Sequence, residues 1–324
     1  MSELVLDVRD LAVHYRVARG GAGPALLRAV EDVSFSLHRG QTLGIVGESG
    51  SGKSSIARAL LRLVPAASGR ALFRGTDLLA LEGDALRQAR RHVQMIFQDP
   101  LASLDPRMTV EQIVTEPLRV FAPRLGRGQR RALALAMLGR VGLGSEHLAR
   151  FPHEFSGGQA QRIGIARALI LEPDLVVCDE PLSALDVSIK SQISNLLKDL
   201  QREFGLTLLF ISHDLASVRF SCDQVLVLYL GRVMEIAPRD ELFDHPRHPY
   251  TRALLEAVPI PDPQAARARR VTLLEGELPS ALTPPSGCVF RTRCPIATER
   301  CARELPPLRT LGPARVACHY ADAD

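Results

Sequence analysis

The chain has 324 residues, 46% hydrophobic and 23% charged, with a formal net charge of +4. That length supplies ample core and room for two domains, while so mild a charge with only 5% aromatics speaks against a nucleic-acid surface. No apolar run reaches bilayer-spanning length and no basic-then-apolar leader opens the chain, so the expectation is a cytoplasmic protein whose membrane role runs through partners.

In chain order, Leu11, Val13 and Tyr15 alternate with polar or small residues, as in a strand with one buried face, residues 20–24 read as a loop, and Val33, Phe35 and Leu37 alternate again. Tyr15 is a candidate to stack on a base from the sheet rim, although a tyrosine at a strand end is usually packing. Residues 42–46 form an apolar strand leading into Gly47-Glu48-Ser49-Gly50-Ser51-Gly52-Lys53-Ser54, which fits G-x-x-x-x-G-K-[ST]. Ile56, Leu60 and Leu63 predict a helix behind it, stopped by Pro65. Strand, glycine-rich turn and helix is the setting in which backbone N–H groups and a positive helix end face phosphate oxygens. In such a loop Lys53 reaches the β- and γ-phosphates and the Ser54 hydroxyl ligates Mg²⁺. A chance cation here would be arginine, since only three of the 40 Lys and Arg residues are lysine.

Residues 72–75 and 93–97 read as further strands, the second running into Gln98-Asp99-Pro100; Pro100 and Pro106 break regular structure. From 108 to 150 the pattern is helical, clearest over 132–143, with a loop at 123–128: a helical insert in an α/β core. Ser156-Gly157-Gly158-Gln159 opens another helix, with Ser156 as N-cap, Ile163, Ala166 and Ile170 as its apolar stripe, and Pro173 at its end. It makes a second anion site about 110 residues after the first, placed to serve the phosphates of a neighbouring chain rather than its own. Residues 175–180 are an apolar strand ending in Asp179 and Glu180, like a Walker B strand: Asp179 to hold Mg²⁺, Glu180 to polarise water. Ser183-Ala184-Leu185-Asp186 follows at once, and a strand at 208–211 ends in Ser212-His213-Asp214. Singly, an acidic turn or a histidine after a strand is structural; the consistent order gives them functional weight.

Together these residues resemble the ATP-binding subunit of an ABC transporter, over roughly residues 4–245: aromatic stacker Tyr15, Walker A loop, Q-loop Gln98, signature Ser156 to Gln159, Walker B Asp179-Glu180, D-loop ending at Asp186, and switch His213. The resemblance implies an α/β P-loop NTPase core of the ABC type, with an antiparallel β subdomain and a helical subdomain at about 100–160. The expected nucleotide-binding domain spans 1–245, and a small Cys/Pro-rich extension spans 246–324. It implies ATP held by Tyr15, the loop with Ser55, Gln98, Asp179, Asp186 and, from a second ATPase subunit, Ser156, Gly157, Gly158 and Gln159; Mg²⁺ on Ser54, Gln98 and Asp179; and catalysis by Glu180, His213, Lys53 and Gln98. The implied partners are that second ATPase (paralogue or copy), two transmembrane permease subunits and, indirectly, an extracytoplasmic solute-binding protein, with no nucleic acid. The implied location is the cytoplasmic face of the membrane.

Finer features resemble the oligopeptide/dipeptide importer branch: Gly47-Glu48-Ser49-Gly50, Phe97-Gln98-Asp99-Pro100, His153-Glu154-Phe155 and His248-Pro249-Tyr250-Thr251. Ala160 departs from the usual basic residue but leaves the phosphate cradle intact. Peptides are the implied solute, with a nickel chelate or an oligosaccharide as alternatives. A soluble ABC ATPase acting on nucleic acid or ribosomes is the competing class; it would bring tandem cassettes or a strong basic face.

From about residue 244 prolines become dense, at Pro246, Pro249, Pro259, Pro261, Pro263, Pro279, Pro284 and Pro285. Four of the six cysteines fall here, Cys288, Cys294, Cys301 and Cys318. In a cytosolic chain, thiols clustered in a small module suggest a metal staple rather than disulfides, with His319 beside Cys318 as an alternative ligand. The spacing lacks the C-x₂-C of common zinc sites, and Cys294-Pro295 is similar to iron–sulfur sequences. Resemblance to peptide-importer ATPases implies a [4Fe–4S] cluster; zinc, or four reduced buried thiols, are the alternatives. Cys178 and Cys222 read as packing, and His245 and His248 as structural.

Overall fold

The computed structural model describes residues 3–19, 23–258 and 277–321. Two sixteen-residue strands open the chain, β1 (Leu4–Arg19) and β2 (Gly23–His38). They run well beyond the alternating stretches near 11–15 and 33–37, because Asp10 and Asp32 adopt positive φ inside them and break the period-two pattern. Of the loop expected at 20–24, residues 20–22 lie outside the described residues, and Gly23 and Pro24 belong to β2. The chain continues through β3 (Thr42–Val46), α1 (Lys53–Leu60), β4 (Ser68–Phe73), β5 (Thr76–Asp77), α2 (Gly83–His92), β6 (Val93–Ile96), α3 (Val110–Phe121), α4 (Arg127–Arg140), α5 (Gly157–Leu169), β7 (Leu175–Asp179) and α6 (Val187–Phe204). It ends with β8 (Thr207–Ile211), α7 (Leu215–Ser221), β9 (Gln224–Tyr229), β10 (Arg232–Pro238), α8 (Arg239–Asp244), α9 (Pro249–Glu256), β11 (Arg309–Leu311) and β12 (Ala314–Val316).

Two compact units result, one comprising 1–6, 36–42 and 72–212, the other 7–35, 43–71 and 213–324. In the first, β6, β7 and β8 pair in parallel, with Val93 opposite Leu175 and Leu175 opposite Thr207. Every residue of β7 and β8 is buried, which is why they read as continuous apolar runs. The helical insert buries Ile113, Val114 and Leu118 of α3, Ala134, Met137 and Leu138 of α4, and Ile163 and Ile165 of α5. A capping box between Thr109 and Gln112 starts α3, and Pro117 sits inside that helix without ending it.

In the second unit β3 pairs in parallel with β9, and β9, β10, β12 and β11 continue antiparallel, making a mixed sheet. A second sheet orders β2-β1-β4 over the buried Val8, Leu11, Val13, Val30 and Val33. The C-terminal segment shares this unit's core. β12 pairs with β10, and Tyr250 and Phe290 pack edge-on against Tyr229 at ring-centroid distances of 4.7 and 5.3 Å. His248 is buried and its Nδ1 accepts from the Tyr250 amide at 3.0 Å, which caps α9. Pro259, Pro261 and Pro263 lie outside the described residues. Among the described residues no helix is long and apolar enough to cross a membrane.

Candidate functional site

In the second unit β3, wholly buried, delivers the chain to the glycine-rich loop. Gly47 has φ +153 and a Cβ there would lie 2.1 Å from the Leu228 carbonyl; Gly52 has φ +106 and a Cβ would lie 2.2 Å from the Ala29 carbonyl. Only glycine fits either position. Gly52 caps α1 with no side-chain hydrogen bond, leaving the helix start in the form anions use. Lys53 is buried and its ammonium turns back over the loop, donating to the carbonyls of Gly47 at 2.8 Å and Glu48 at 2.9 Å, with Ser51 Oγ at 3.5 Å. Ser49 and Gly50 are exposed, and Ser54 and Ser55 half-buried. The Tyr15 hydroxyl donates to Ser55 Oγ at 3.1 Å, which puts the predicted stacking aromatic beside the first turn of α1.

Three contacts on this loop lie outside any sequence motif. Arg293 Nη1 donates to both Glu48 carboxylate oxygens, at 2.9 and 3.0 Å, from 245 residues away. The Glu48 amide donates to the Tyr250 hydroxyl at 3.0 Å from 202 residues away. The Gly231 amide donates to the Ser51 carbonyl at 2.8 Å. The only sequence signal for any of these was the His248-to-Thr251 segment, singled out for its resemblance rather than its contacts.

In the first unit, β7 ends on the buried Asp179. Glu180 follows with φ +47, a left-handed conformation uncommon for glutamate, held by its amide donating to the Ile211 carbonyl at 2.9 Å. Gln98 Nε2 donates to Glu180 Oε2 at 3.1 Å, so two residues predicted from separate motifs meet here. The Ser183 amide and hydroxyl donate to the Glu180 carbonyl at 3.2 and 3.1 Å. Cys178 is a packing residue: burial, then the neighbouring Asp179, push its thiol up to about 12. Cys222 is buried likewise.

Ser156 caps α5 in a capping box, its Oγ accepting from the Gln159 amide at 3.4 Å and its own amide donating to Gln159 Oε1 at 3.1 Å. A Cβ on Gly158 would lie 2.6 Å from Ile189 Cγ2 of α6, and one on Gly157 would lie 3.6 Å from Leu185 Cδ2. Asp186 is the N-cap residue of α6. His213, in the second unit, is exposed two residues beyond β8, and the Asp214 carboxylate caps α7. The predicted Mg²⁺ donors are a hydroxyl (Ser54), an amide oxygen (Gln98) and a carboxylate (Asp179), an all-oxygen set that suits a hard cation.

The four C-terminal cysteines are brought within electrostatic reach of one another. Burial raises Cys288 to about 11, with Cys301, Cys294 and Cys318 adding to the shift, and Cys294 and Cys318 are raised chiefly by burial too. Among the described residues no group of three or more His, Cys, Asp or Glu side chains is disposed to hold a metal ion. Cys318 Sγ accepts from the Tyr320 amide at 3.4 Å. His319 Nε2 lies 3.1 Å from the Glu304 carbonyl.

The ABC transporter family pattern matches residues 30–183, which sets the class: an ABC-type P-loop ATPase with an antiparallel β subdomain. Among solved structures, the dimeric ATP-binding cassette MJ0796 in a post-hydrolysis state with ADP and Pi superposes with a TM-score of 0.65 at 29% identity, over 72% of this chain and 98% of that one. The cbiO1 subunit from Clostridium perfringens superposes with a TM-score of 0.64 at 28% identity, over 75% and 92%. The pattern for the oligopeptide/dipeptide transporter C-terminal region matches residues 234–301. The oligopeptide transport ATP-binding proteins OppF of Salmonella typhimurium and Escherichia coli are each 53% identical over 324 residues, covering 99% of this chain and 97% of their own. The chain belongs to the OppF family of ABC transporter ATP-binding proteins.

Proposed function

We propose that this chain hydrolyses ATP in a head-to-tail pair with a second ABC ATPase, at the cytoplasmic face of a membrane, and so powers peptide import through permease subunits. The relatives' description as oligopeptide transport proteins and the match at 234–301 support peptides as the solute. The observation that carries the hydrolytic part is the Gln98–Glu180 hydrogen bond, which fixes a carboxylate at a strand end beside a second strand-end carboxylate.

In this reading ATP lies between the phosphate loop of one subunit and the Ser156-to-Gln159 helix start of the other. Catalysis is mostly positioning and charge neutralisation. Lys53 neutralises the β- and γ-phosphates, Glu180 orients the attacking water, Gln98 holds Glu180 in line, and His213 contacts the γ-phosphate. Ser54, Gln98 and Asp179 would hold Mg²⁺, which when bound draws charge from the phosphate oxygens. ATP touches both subunits and closes the pair; loss of the γ-phosphate contacts lets it reopen, a ligand-driven shift between two states.

The test is Glu180→Gln in the assembled transporter. Nucleotide binding should persist while turnover falls by about 10²–10⁴-fold, the span of a general base. Wild-type turnover would remove Glu180 from this role. A [4Fe–4S] cluster on Cys288, Cys294, Cys301 and Cys318 is a separate reading, supported by the electrostatic reach of the four thiols, three of them buried, to one another; no catalytic step depends on it, and iron analysis of anaerobically purified protein decides it.

A further inference from the structure

A cavity of about 250 Å³ opens in the second unit, and its wall is continuous with the support of the phosphate loop. Part of the lining is charged. Arg28 and Arg232 stand 3.8 and 4.0 Å from opposite oxygens of Glu31, at ion-pair but not hydrogen-bond distance. Glu31 is already engaged, since His14 Nε2 lies 2.7 Å from its Oε1. Two guanidiniums therefore share one committed carboxylate, and each retains donors in the fork geometry that matches a carboxylate. The rest of the lining is largely apolar and includes Leu230, Pro284, Pro285, Val289 and Leu305, the last 45% exposed.

The turn carrying two of these residues is wired to the nucleotide loop. Leu230 and Arg232 flank Gly231, whose amide donates to the Ser51 carbonyl at 2.8 Å and whose carbonyl accepts from the Glu31 amide at 2.9 Å. The turn is tight: Leu230 has φ +44 and Gly231 has φ +75, with a Cβ on Gly231 only 2.7 Å from the Ala29 carbonyl. That same carbonyl is the one that forbids a side chain on Gly52. A group seated against Leu230 and Arg232 therefore bears on a turn that is hydrogen-bonded directly to Ser51 of the phosphate loop.

We propose that this cavity is an effector site for small apolar carboxylates, above all the C-terminal residue of a short peptide, and that its occupancy changes the nucleotide affinity of the phosphate loop. Its volume, just below the usual range of ligand pockets, fits an amino acid or the C-terminal end of a small dipeptide. The identification of the ligand with the transported product rests on the peptide-import reading; the cavity's chemistry does not. The pairing would let accumulated product report directly to the motor.

The test is titration of the full chain with alanyl-leucine and, in parallel, with its C-terminal amide, which keeps the apolar group and removes the carboxylate. Alanyl-leucine should bind at least about tenfold more tightly than the amide, as expected when a charge-assisted pair is lost. At saturation it should change the affinity for a fluorescent ATP analogue by about fivefold or more, and saturating nucleotide must change dipeptide affinity by the same factor, because coupling is reciprocal. Arg28→Gln, on an exposed side chain, and Leu305→Asp should each weaken the dipeptide and abolish the coupling without altering nucleotide affinity in its absence. Equal binding of acid and amide, no binding of either, or binding without any change in nucleotide affinity overturns the proposal. Peptide uptake by the assembled transporter is read separately, so failure of peptide import leaves the cavity result standing, and the reverse.

Discussion

Replacing Arg293 with methionine keeps the apolar stem and deletes the guanidinium that holds Glu48. The Arg293 side chain is 9% exposed and that of Glu48 26%. The substitution orphans a carboxylate that retains some hydration. An unsatisfied buried polar group costs about 1–3 kcal/mol, and the residual exposure places this one at about 1–2 kcal/mol. Because Glu48 is the second residue of the phosphate loop and its carbonyl receives the Lys53 ammonium, that cost falls on the nucleotide-binding conformation. The expected loss in nucleotide affinity is about 5- to 30-fold. Titration with a fluorescent ATP analogue reads it, in a cycle with Glu48→Gln and the double variant. The double variant should bind better than Arg293→Met alone, since no charge is then left unpaired. Wild-type affinity in Arg293→Met, or a double variant worse than both singles, refutes the idea that the C-terminal segment secures the loop.

Lys53→Ala removes both the phosphate-facing ammonium and its two bonds to loop carbonyls, so nucleotide binding should fall by at least about tenfold, measured in the same titration; unchanged binding would count against the loop's role. Burial pushes His248 from its ordinary 6.5 down to about 3, so the folded protein refuses a proton that the unfolded chain accepts. Stability is then complete above pH 6.5 and falls by about 1.4 kcal/mol per pH unit below it, toward the folded value. Glu235, which accepts from the His248 amide at 2.9 Å, is shifted upward by burial and takes up its proton early in the folded state, returning part of the loss as the pH approaches the carboxylate range. Melting temperatures across this range should show the decline, and His248→Asn, which keeps an acceptor for the Tyr250 amide, should flatten it.

What the sequence disclosed were local requirements of the backbone. Gly47 and Gly52 occupy conformations and clearances that no other residue tolerates, so the motif and the geometry are the same fact. Ser156 and Gln159 satisfy each other across one helical turn, which a four-residue pattern records. The lengths of β1 and β2 were illegible because single left-handed residues, Asp10 and Asp32, interrupt an alternation that otherwise continues. The Arg293 and Tyr250 contacts were illegible for a different reason. They span 245 and 202 residues, and a single arginine among 40 basic residues carries no mark of its partner. The clustering of four cysteines suggests a metal staple, and the fold brings the thiols within electrostatic reach of one another, but clustering in sequence alone does not say whether side chains converge on one point.

The hold on Glu48 has a consequence in time. Tyr250 and Arg293 are translated in the last quarter of the sequence, and at about 5–20 residues per second the 245 residues separating Glu48 from Arg293 take on the order of ten to fifty seconds to emerge. A nascent chain thus displays its glycine-rich motif long before the residues that steady it exist. Full affinity for nucleotide therefore arrives only near release from the ribosome, and a polypeptide cut short ahead of Tyr250 is born without either contact.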